Sequence, residues 1–222
     1  MTDLVVLLDV DNTLLDNDLV RTGLEQELSG VLGRGQASRF WEIYEQVRAE
    51  TDLVNFPETM ERFGQECPDT GCLSRVSATL YAFPFDRYVF PESLSAIRHV
   101  ASFATPVILS DGDQLFQRYK IRAAGLEEAV GGNVLVYVHK EQSTGDICKR
   151  FPATHYAIVD DKTWIHAAMK AAMGEQITTV MVCQGQYAHD PAHHSFPEAD
   201  LTIEGIGGLL ALGPEWLNAS RA

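Results

Sequence analysis

The sequence lacks the features that would direct it to a membrane or to the cell exterior. It has no apolar run of about 18 residues, so we expect no transmembrane helix. No basic stretch followed by an apolar one stands near its N-terminus, so we expect no signal peptide and, by default, a cytoplasmic location. Cysteines are few, with four in 222 residues. We expect Cys67, Cys72, Cys148 and Cys183 to stay reduced and partly buried.

Positive charge is also scarce. Seventeen Lys and Arg stand against 31 Asp and Glu, which gives a formal net charge of −14. A nucleic-acid partner would need a basic face, so the balance argues against one. An anionic substrate would need a metal ion and a few well-placed Lys or Arg residues to offset the repulsion.

What the sequence does contain is a series of short apolar and β-branched runs. They predict strands at 4–9, 106–110, 133–138, 155–160 and 177–182, with a weaker one at 201–203. The later runs alternate with stretches of helical spacing, one marked by Leu115, Tyr119, Arg122 and Leu126 and another by Trp164 and Ala168. Strands that alternate with helices predict an α/β fold with a Rossmann-like parallel sheet and right-handed crossovers.

One segment, residues 16–88, interrupts this alternation. It contains no clear strand, and its apolar residues follow helical spacing four times. The four predicted helices are marked by Leu24 and Leu28, Phe40 and Val47, Phe56 and Phe63, and Val76 and Leu80. We therefore predict a core domain made of residues 1–15 and 89–222, with a helical domain of residues 16–88 inserted after the first strand.

Two acids stand at the carboxyl end of the first predicted strand. Asp9 and Asp11 are two positions apart, and in an extended chain such residues point the same way. Two carboxylates this close resist joint ionisation unless a cation joins them or one stays protonated. The pair is therefore suited to a Mg²⁺ site, to a nucleophile beside a general acid, or to both. Asp, Asn and Thr are also common at turns, so the pair alone decides nothing.

The later strands also end in polar residues, at the edge where open α/β sheets bind ligands. Ser110 ends the second predicted strand, Lys140 follows the third, and Asp160 and Asp161 end the fourth. Each has an ordinary explanation as a helix cap, a solvated charge or a turn residue. Together they would converge on one rim of the sheet.

This ordered set resembles the haloacid dehalogenase superfamily of phosphotransferases. The segment 9–16 resembles the first motif of that family, Ser110 the second, Lys140 the third and Asp160-Asp161 the fourth. The inserted helices resemble, by position and helical character, the type-1 cap domain of the family. The resemblance covers essentially the whole chain.

The resemblance implies a mechanism. Asp9 would attack phosphorus to give an aspartyl-phosphate, and Asp11 would protonate the leaving oxygen and then activate water. Ser110, the backbone at Asp111 and Lys140 would bind the phosphoryl oxygens. Mg²⁺ would be held by Asp9, the backbone carbonyl of Asp11 and Asp160, with Asp161 close by.

The second acid bears on the activity. The dehalogenases of this superfamily expel a halide, which needs no proton, and they lack an acid at the position of Asp11. The resemblance thus favours a Mg²⁺-dependent phosphatase that acts on a small phosphorylated metabolite. A phosphomutase and a non-catalytic binding module with the same fold stay open as alternatives, and so does a monomer or a homodimer.

Residues of the inserted segment would select the substrate. Its arginines are candidate anionic handles, although such residues on helices more often pair with nearby Glu. They are Arg21, Arg39, Arg48, Arg62, Arg75 and Arg87. We also expect Asn17 and Asp18 to face the cleft. The stretch 189–194 contains three His and one Asp and could bind a metal, but we interpret it as a surface loop.

Overall fold

Six strands form one parallel sheet in the computed structural model, which describes residues 2–51, 53–67, 70–189 and 195–217. The strands are β1 (Thr2–Leu8), β2 (Thr105–Asp111), β3 (Val134–Tyr137), β4 (Ala153–Asp160), β5 (Ile177–Val182) and β6 (Leu201–Ile203). Their order across the sheet is β3-β2-β1-β4-β5-β6, and every pairing is parallel. The predicted α/β fold with a Rossmann-like parallel sheet is confirmed.

The first strand lies inside the sheet because both of its faces are apolar. It pairs with β2 on one side and β4 on the other, and Leu8 lies opposite Ile108 and Val159. Its side chains alternate between two buried clusters: Leu8 belongs to one layer and Leu7 to the other. Helices cover both faces of the sheet, so the strand that carries Asp9 is held from both sides.

Five helices connect the strands of the core. They are α5 (Ser93–Ala101), α6 (Phe116–Ala123), α7 (Leu126–Ala129), α8 (Thr144–Arg150) and α9 (Thr163–Met173). The helical stretch predicted after β2 is split, since Gly125 takes a left-handed conformation between α6 and α7. Leu115 precedes α6 and is exposed, so it does not belong to the helix that its spacing predicted. No helix in the described part of the chain is long and apolar enough to cross a membrane.

Four helices lie between β1 and α5 in the described residues, in the segment where the spacing predicts them. They are α1 (Asn17–Leu32), α2 (Arg34–Thr51), α3 (Phe56–Glu66) and α4 (Thr70–Ala82), called the helical insert below. The chain enters and leaves the insert at one place, because Asp16 N donates to Tyr88 O at 2.8 Å and Phe90 N donates to Leu14 O at 3.0 Å. The domain limits of 1–15, 16–88 and 89–222 stay a prediction.

An aromatic contact joins the insert to the core. Phe40, Phe56 and Phe63 pack together inside the insert. The ring of Phe56 also lies 4.4 Å, between centroids, from the ring of Phe116 on α6. The insert therefore rests on the same helix that follows the end of β2.

The expectation for two of the cysteines is wrong. Cys67 at the end of α3 and Cys72 on α4 form a disulfide bond. The two positions are five residues apart, and their Cα atoms lie 6.6 Å from each other. Cys148 and Cys183 are free and partly buried, as expected.

Candidate active site at the carboxyl edge of the sheet

Polar residues from four adjacent strands meet at one rim of the sheet. The strand order β3-β2-β1-β4 puts the carboxyl ends of these strands side by side. The structure brings together all of the predicted site residues: Asp9, Asp11, Ser110, Asp111, Lys140, Asp160 and Asp161. Their convergence follows from parallel pairing, since parallel strands end at the same edge.

Lys140 lies at the centre of this group. Its Nζ atom is 2.5 Å from Asp9 Oδ1 and 2.6 Å from Asp160 Oδ2, and its side chain is fully buried. Burial by itself would lower the pKa of Lys140, but the carboxylates of Asp160 and Asp9 outweigh it and raise that pKa. The ammonium is thus a fixed positive charge that joins the ends of β1 and β4.

Asp9 is buried and keeps one oxygen available. Loss of water around the side chain raises its pKa to about 6, although Lys140 and Lys162 act in the opposite direction. Asp9 Oδ1 is taken by Lys140, whereas Oδ2 has no hydrogen-bond partner among the described residues. The Lys162 ammonium lies 3.9 Å from Oδ2, beyond hydrogen-bond distance. Oδ2 is therefore the oxygen of Asp9 that can meet a ligand.

Asp160 and Asp161 add two buried carboxylates beside Asp9. One oxygen from each of the three residues lies within 4.8 Å of the others. In the part of the chain that the structure describes, neither oxygen of Asp161 has a hydrogen-bond partner. Burial holds the pKa of Asp161 well above its usual range. Clustered carboxylates with unsatisfied oxygens are a donor set that fits a hard divalent cation.

Asp11 has a different environment from Asp9. Its Oδ1 lies 2.6 Å from Lys120 Nζ, and its Oδ2 accepts a hydrogen bond from Gln117 Nε2 at 3.1 Å. Burial opposes ionisation, but the Lys120 ammonium outweighs it and lowers the pKa of Asp11. The Asp11 side chain is 26% exposed and is not part of the three-carboxylate cluster. A contribution of its backbone carbonyl to a metal site stays a prediction.

The end of β2 supplies a hydroxyl and a carboxylate. Ser110 is buried, and its Oγ atom accepts a hydrogen bond from Gln117 Nε2 at 2.8 Å. Asp111 Oδ1 accepts a hydrogen bond from Lys140 N at 2.8 Å, so its side chain anchors the turn that carries Lys140. Gly112 follows with φ +147°, a conformation that favours glycine.

Three residues of the site were not predicted from the sequence. They are Gln117 and Lys120 on α6, and Lys162, whose Nζ atom lies 3.6 Å from Asp161 Oδ1. Gln117 and Lys120 are three positions apart on a helix and so share a face. Lys162 directly follows Asp160-Asp161. Both spacings are readable in the sequence, but neither indicates which groups the side chains meet.

A cavity of about 870 Å³ opens from these residues toward the helical insert. Asp9, Asp11 and Ser110 line its floor. Asn17 and Asp18 line it as well, which confirms that they face the cleft.

Two of the candidate arginines, Arg21 and Arg48, also line this cavity. Arg21 lies over the rings of Trp41 and Tyr44 and pairs with Glu25 and Glu45. Arg48 Nη2 donates to the hydroxyl of Tyr187 at 3.2 Å. The two therefore bring positive charge from the insert to the cleft.

The remaining candidate arginines of the insert do not line the cavity. Arg39 pairs with Glu42 and Glu66, and Arg62 pairs with Glu50 and Glu58, on the outer surface. They behave as solvated ion-pair partners. Residues 190–194 lie outside the described residues, so the interpretation of the stretch 189–194 as a surface loop stays a prediction.

The chain is similar to solved structures over nearly its whole length. A haloacid dehalogenase-like hydrolase from Burkholderia xenovorans LB400 shares 42% sequence identity, covers 96% of this chain and 100% of its own, and superposes with a TM-score of 0.90. The L-2-haloacid dehalogenase from Xanthobacter autotrophicus shares 16% identity over 96% of this chain and 98% of its own, with a TM-score of 0.62.

A haloacid dehalogenase-like family hydrolase from Xanthomonas campestris shares 16% identity over 95% of this chain and 89% of its own, with a TM-score of 0.61. At that identity the similarity shows the fold alone. No protein-family model and no curated protein matches the chain. The relative at 42% identity, with the fold and the ordered strand-end residues, shows that the chain belongs to the haloacid dehalogenase-like hydrolases.

Proposed function

We propose that this hydrolase is a Mg²⁺-dependent phosphatase, which cleaves a small phosphate monoester through an aspartyl-phosphate. The observation that carries the proposal is the second acid, Asp11, which lines the same cavity as the buried Asp9. A departing halide needs no proton, whereas a departing ester oxygen does. An acid beside the nucleophile therefore favours phosphate esters over the haloacids on which the Xanthobacter autotrophicus enzyme acts by name.

The metal part of the proposal is supported by charge and by unsatisfied oxygens. Five aspartates meet three lysines at the rim, so the ionised groups carry a formal excess of two negative charges. Asp9 Oδ2 and both oxygens of Asp161 have no hydrogen-bond partner within the described ranges. Asp9, Asp160 and Asp161 would hold the ion. When bound, Mg²⁺ would neutralise charge that develops on the phosphoryl group.

The side chains divide the work in two steps. First, the Asp9 carboxylate forms a bond to phosphorus while the ester P–O bond breaks, and Asp11, once it has taken up a proton, gives that proton to the departing oxygen. Next, Asp11 takes a proton from water, the water oxygen bonds to phosphorus, and the bond from phosphorus to Asp9 breaks. Lys140 and the Ser110 hydroxyl would hold the phosphoryl oxygens through both steps.

The test is release of phosphate by the purified protein from an aryl phosphate such as p-nitrophenyl phosphate. We expect turnover with Mg²⁺, loss of turnover with excess chelator, and recovery when Mg²⁺ is restored. The Asp9→Asn variant should be inactive and serves as the control for contaminating phosphatases. Release of chloride from 2-chloropropionate, without phosphate release and without a metal, would contradict the proposal and favour a dehalogenase.

A further inference from the structure

We infer that Gln117 and Lys120 are positioning residues, which fix the Asp11 carboxylate and the Ser110 hydroxyl for the reaction. The inference rests on the proposed function, because that function gives Asp11 and Ser110 their roles. Both residues lie on α6, one turn apart, and both reach the rim from outside the four motif segments.

Lys120 acts on one oxygen of Asp11. Its Nζ atom lies 2.6 Å from Asp11 Oδ1, and its side chain is only 7% exposed. Asn17 Oδ1 lies 3.4 Å from the same Nζ atom. Burial of a charged side chain costs free energy, and a buried Lys is therefore usually paired with a partner of opposite charge. Lys120 therefore fixes the direction in which Asp11 Oδ1 points.

Gln117 acts on the other oxygen and on the serine together. Its Nε2 atom donates to Asp11 Oδ2 at 3.1 Å and to Ser110 Oγ at 2.8 Å. An ionised carboxylate only accepts hydrogen bonds, so the amide nitrogen, and not the amide oxygen, faces Asp11. One NH₂ group thus ties Asp11, three residues beyond the end of β1, to Ser110 near the end of β2.

The bond from Gln117 also orients the Ser110 proton. Because Ser110 Oγ accepts from Gln117, its own hydrogen must point elsewhere. The bond that it makes to Asp111 O is 3.4 Å long and therefore weak. A phosphoryl oxygen in the cavity offers a better acceptor. Gln117 therefore leaves the Ser110 hydroxyl free to donate to the substrate.

Local packing holds Gln117 in this place. A Cβ atom at Gly112 would lie 2.9 Å from Gln117 Cβ, so the absence of a side chain at Gly112 permits the close approach. Asp113 Oδ1 accepts from Phe116 N at 2.7 Å and from Leu115 N at 3.0 Å, which fixes the start of α6. The turn after β2 is thus built so that the first turn of α6 faces the acid.

The experiment for Lys120 compares three variants of the full chain with the wild-type protein on p-nitrophenyl phosphate. For Lys120→Met we expect kcat to fall by about 10- to 100-fold, the loss typical of a misplaced reacting group, with KM nearly unchanged. Lys120→Arg should recover part of kcat. Arg122→Met is the matched control, because Arg122 lies on the same helix and is exposed. It should change kcat by less than about twofold.

A double-mutant cycle separates positioning from a general effect on folding. If Lys120 acts through Asp11, adding Lys120→Met to Asp11→Asn should lower kcat by less than about twofold further. The double variant also avoids an unpaired buried carboxylate, so it should fold even if Lys120→Met does not. If the losses in kcat caused by Lys120→Met and Asp11→Asn multiply in the double variant, the inference for Lys120 is overturned.

Gln117 is expected to leave a different signature, because it also touches Ser110. Gln117→Leu should weaken competitive inhibition by inorganic phosphate by about fivefold as well as lower kcat, since one hydrogen bond is worth roughly 1 kcal/mol. Gln176→Leu, at an exposed position, is the control. Unchanged phosphate inhibition with unchanged kcat would overturn the inference for Gln117.

A failure of the proposed function is recognised separately. In that case the wild-type protein releases no phosphate from any ester and is not inhibited or bound by inorganic phosphate. Crystal structures of Lys120→Met and Gln117→Leu then decide the inference without activity. Rotation of the Asp11 carboxylate or of the Ser110 side chain would support it, and unchanged orientations would overturn it.

Discussion

Asp9 and Asp11 stand two positions apart and have opposite electrostatic environments. Burial raises the pKa of Asp9 to about 6, while Lys120 holds the pKa of Asp11 below its ordinary value against the effect of burial. Asp9 points into the group of buried acids, and Asp11 points to α6. Neighbouring acids with different partners are suited to different tasks.

Substitution of each acid should have a different kinetic result. Asp9→Asn should abolish turnover on every ester. Asp11→Asn should lower the rate of the first step on an alkyl phosphate by on the order of 10²–10⁴-fold, the usual loss when a general acid is removed. The leaving group of an aryl phosphate is a weaker base, so the rate of the first step on that substrate should fall less. Bursts measured before the steady state check this, and equal losses on both substrates would mean that Asp11 acts through structure alone.

A second prediction about a single residue concerns Gly185. It has φ +74°, and a Cβ atom there would overlap the side chain of Asn12, which directly follows Asp11. Gly131 has φ +64° with nothing within 4 Å of the added Cβ. Gly131→Ala should therefore cost about 1 kcal/mol of stability through backbone strain alone. Gly185→Ala should cost more, about 2–4 kcal/mol, and should also lower activity.

Urea unfolding of both variants measures the two costs. The Gly131→Ala variant is the control for conformational strain. Equal destabilisation by the two substitutions would show that the loop near Asn12 yields easily, and that Gly185 is not required for close approach.

At the scale of elements, α2 of the insert meets the core across the cleft. Arg48 on α2 contacts Tyr187, which follows β5, and both line the cavity. Asp18 at the start of α1 accepts a hydrogen bond from Gln186 N at 2.8 Å. The insert and the segment after β5 thus contribute together to the lining of the cleft.

Arg48→Ala should raise KM for a phosphate ester with a second anionic group, by about tenfold if one charge-assisted hydrogen bond is lost. For p-nitrophenyl phosphate, which has no second anion, KM should change little. Arg39→Ala is the matched control, because Arg39 pairs with Glu66 at 2.7 Å on the exposed surface. A uniform rise in KM for both substrates would mean that Arg48 serves the structure of the insert.

Asp200, at the edge of the sheet, is expected to make a contribution to stability that depends on pH. Asp200, just before β6, accepts a hydrogen bond from Thr179 N on β5 at 2.8 Å and pairs with Lys170 at 2.9 Å. Partial burial opposes ionisation, but the bonds from Thr179 and Lys170 outweigh it and lower the pKa of Asp200 from 3.8. A lowered pKa in the folded state contributes stability above the unfolded value and loses it as pH falls.

Asp200→Asn should therefore lower the free energy of unfolding by about 1 kcal/mol at neutral pH. The difference from wild type should shrink as the pH falls below 3.8 and through the lower folded-state pKa of Asp200. Urea unfolding at a series of pH values checks this. Glu61→Gln, at an exposed position, is the control. A difference that grows toward low pH would contradict the assignment.

At the scale of the whole molecule, charge is the main imbalance. A net charge of −14 favours expansion through self-repulsion, and salt screens that repulsion. The melting temperature should therefore rise by a few degrees between low ionic strength and about 0.5 M KCl at neutral pH. Thermal unfolding followed by circular dichroism measures the change. A fall would mean that surface ion pairs outweigh the repulsion.

The sequence allowed prediction of the strands, of the order of the motifs and of the acid pairs. Each of these depends on local patterns. Six apolar runs became six strands, and the polar residues predicted at the carboxyl ends of the first four lie at the rim. Parallel pairing converts the order of Asp9, Ser110, Lys140 and Asp160 along the chain into proximity in space. The fold and the main site residues therefore followed from local patterns and from resemblance together.

Only the tertiary structure decided which side chains contact each other around the cleft. The pairing of Asp11 with Lys120 joins residues 109 positions apart, and the contact of Arg48 with Tyr187 joins residues 139 positions apart. Such contacts depend on helix angle and loop geometry, which local periodicity does not encode. The sequence thus determined which groups reach the rim, and packing determined which of them meet.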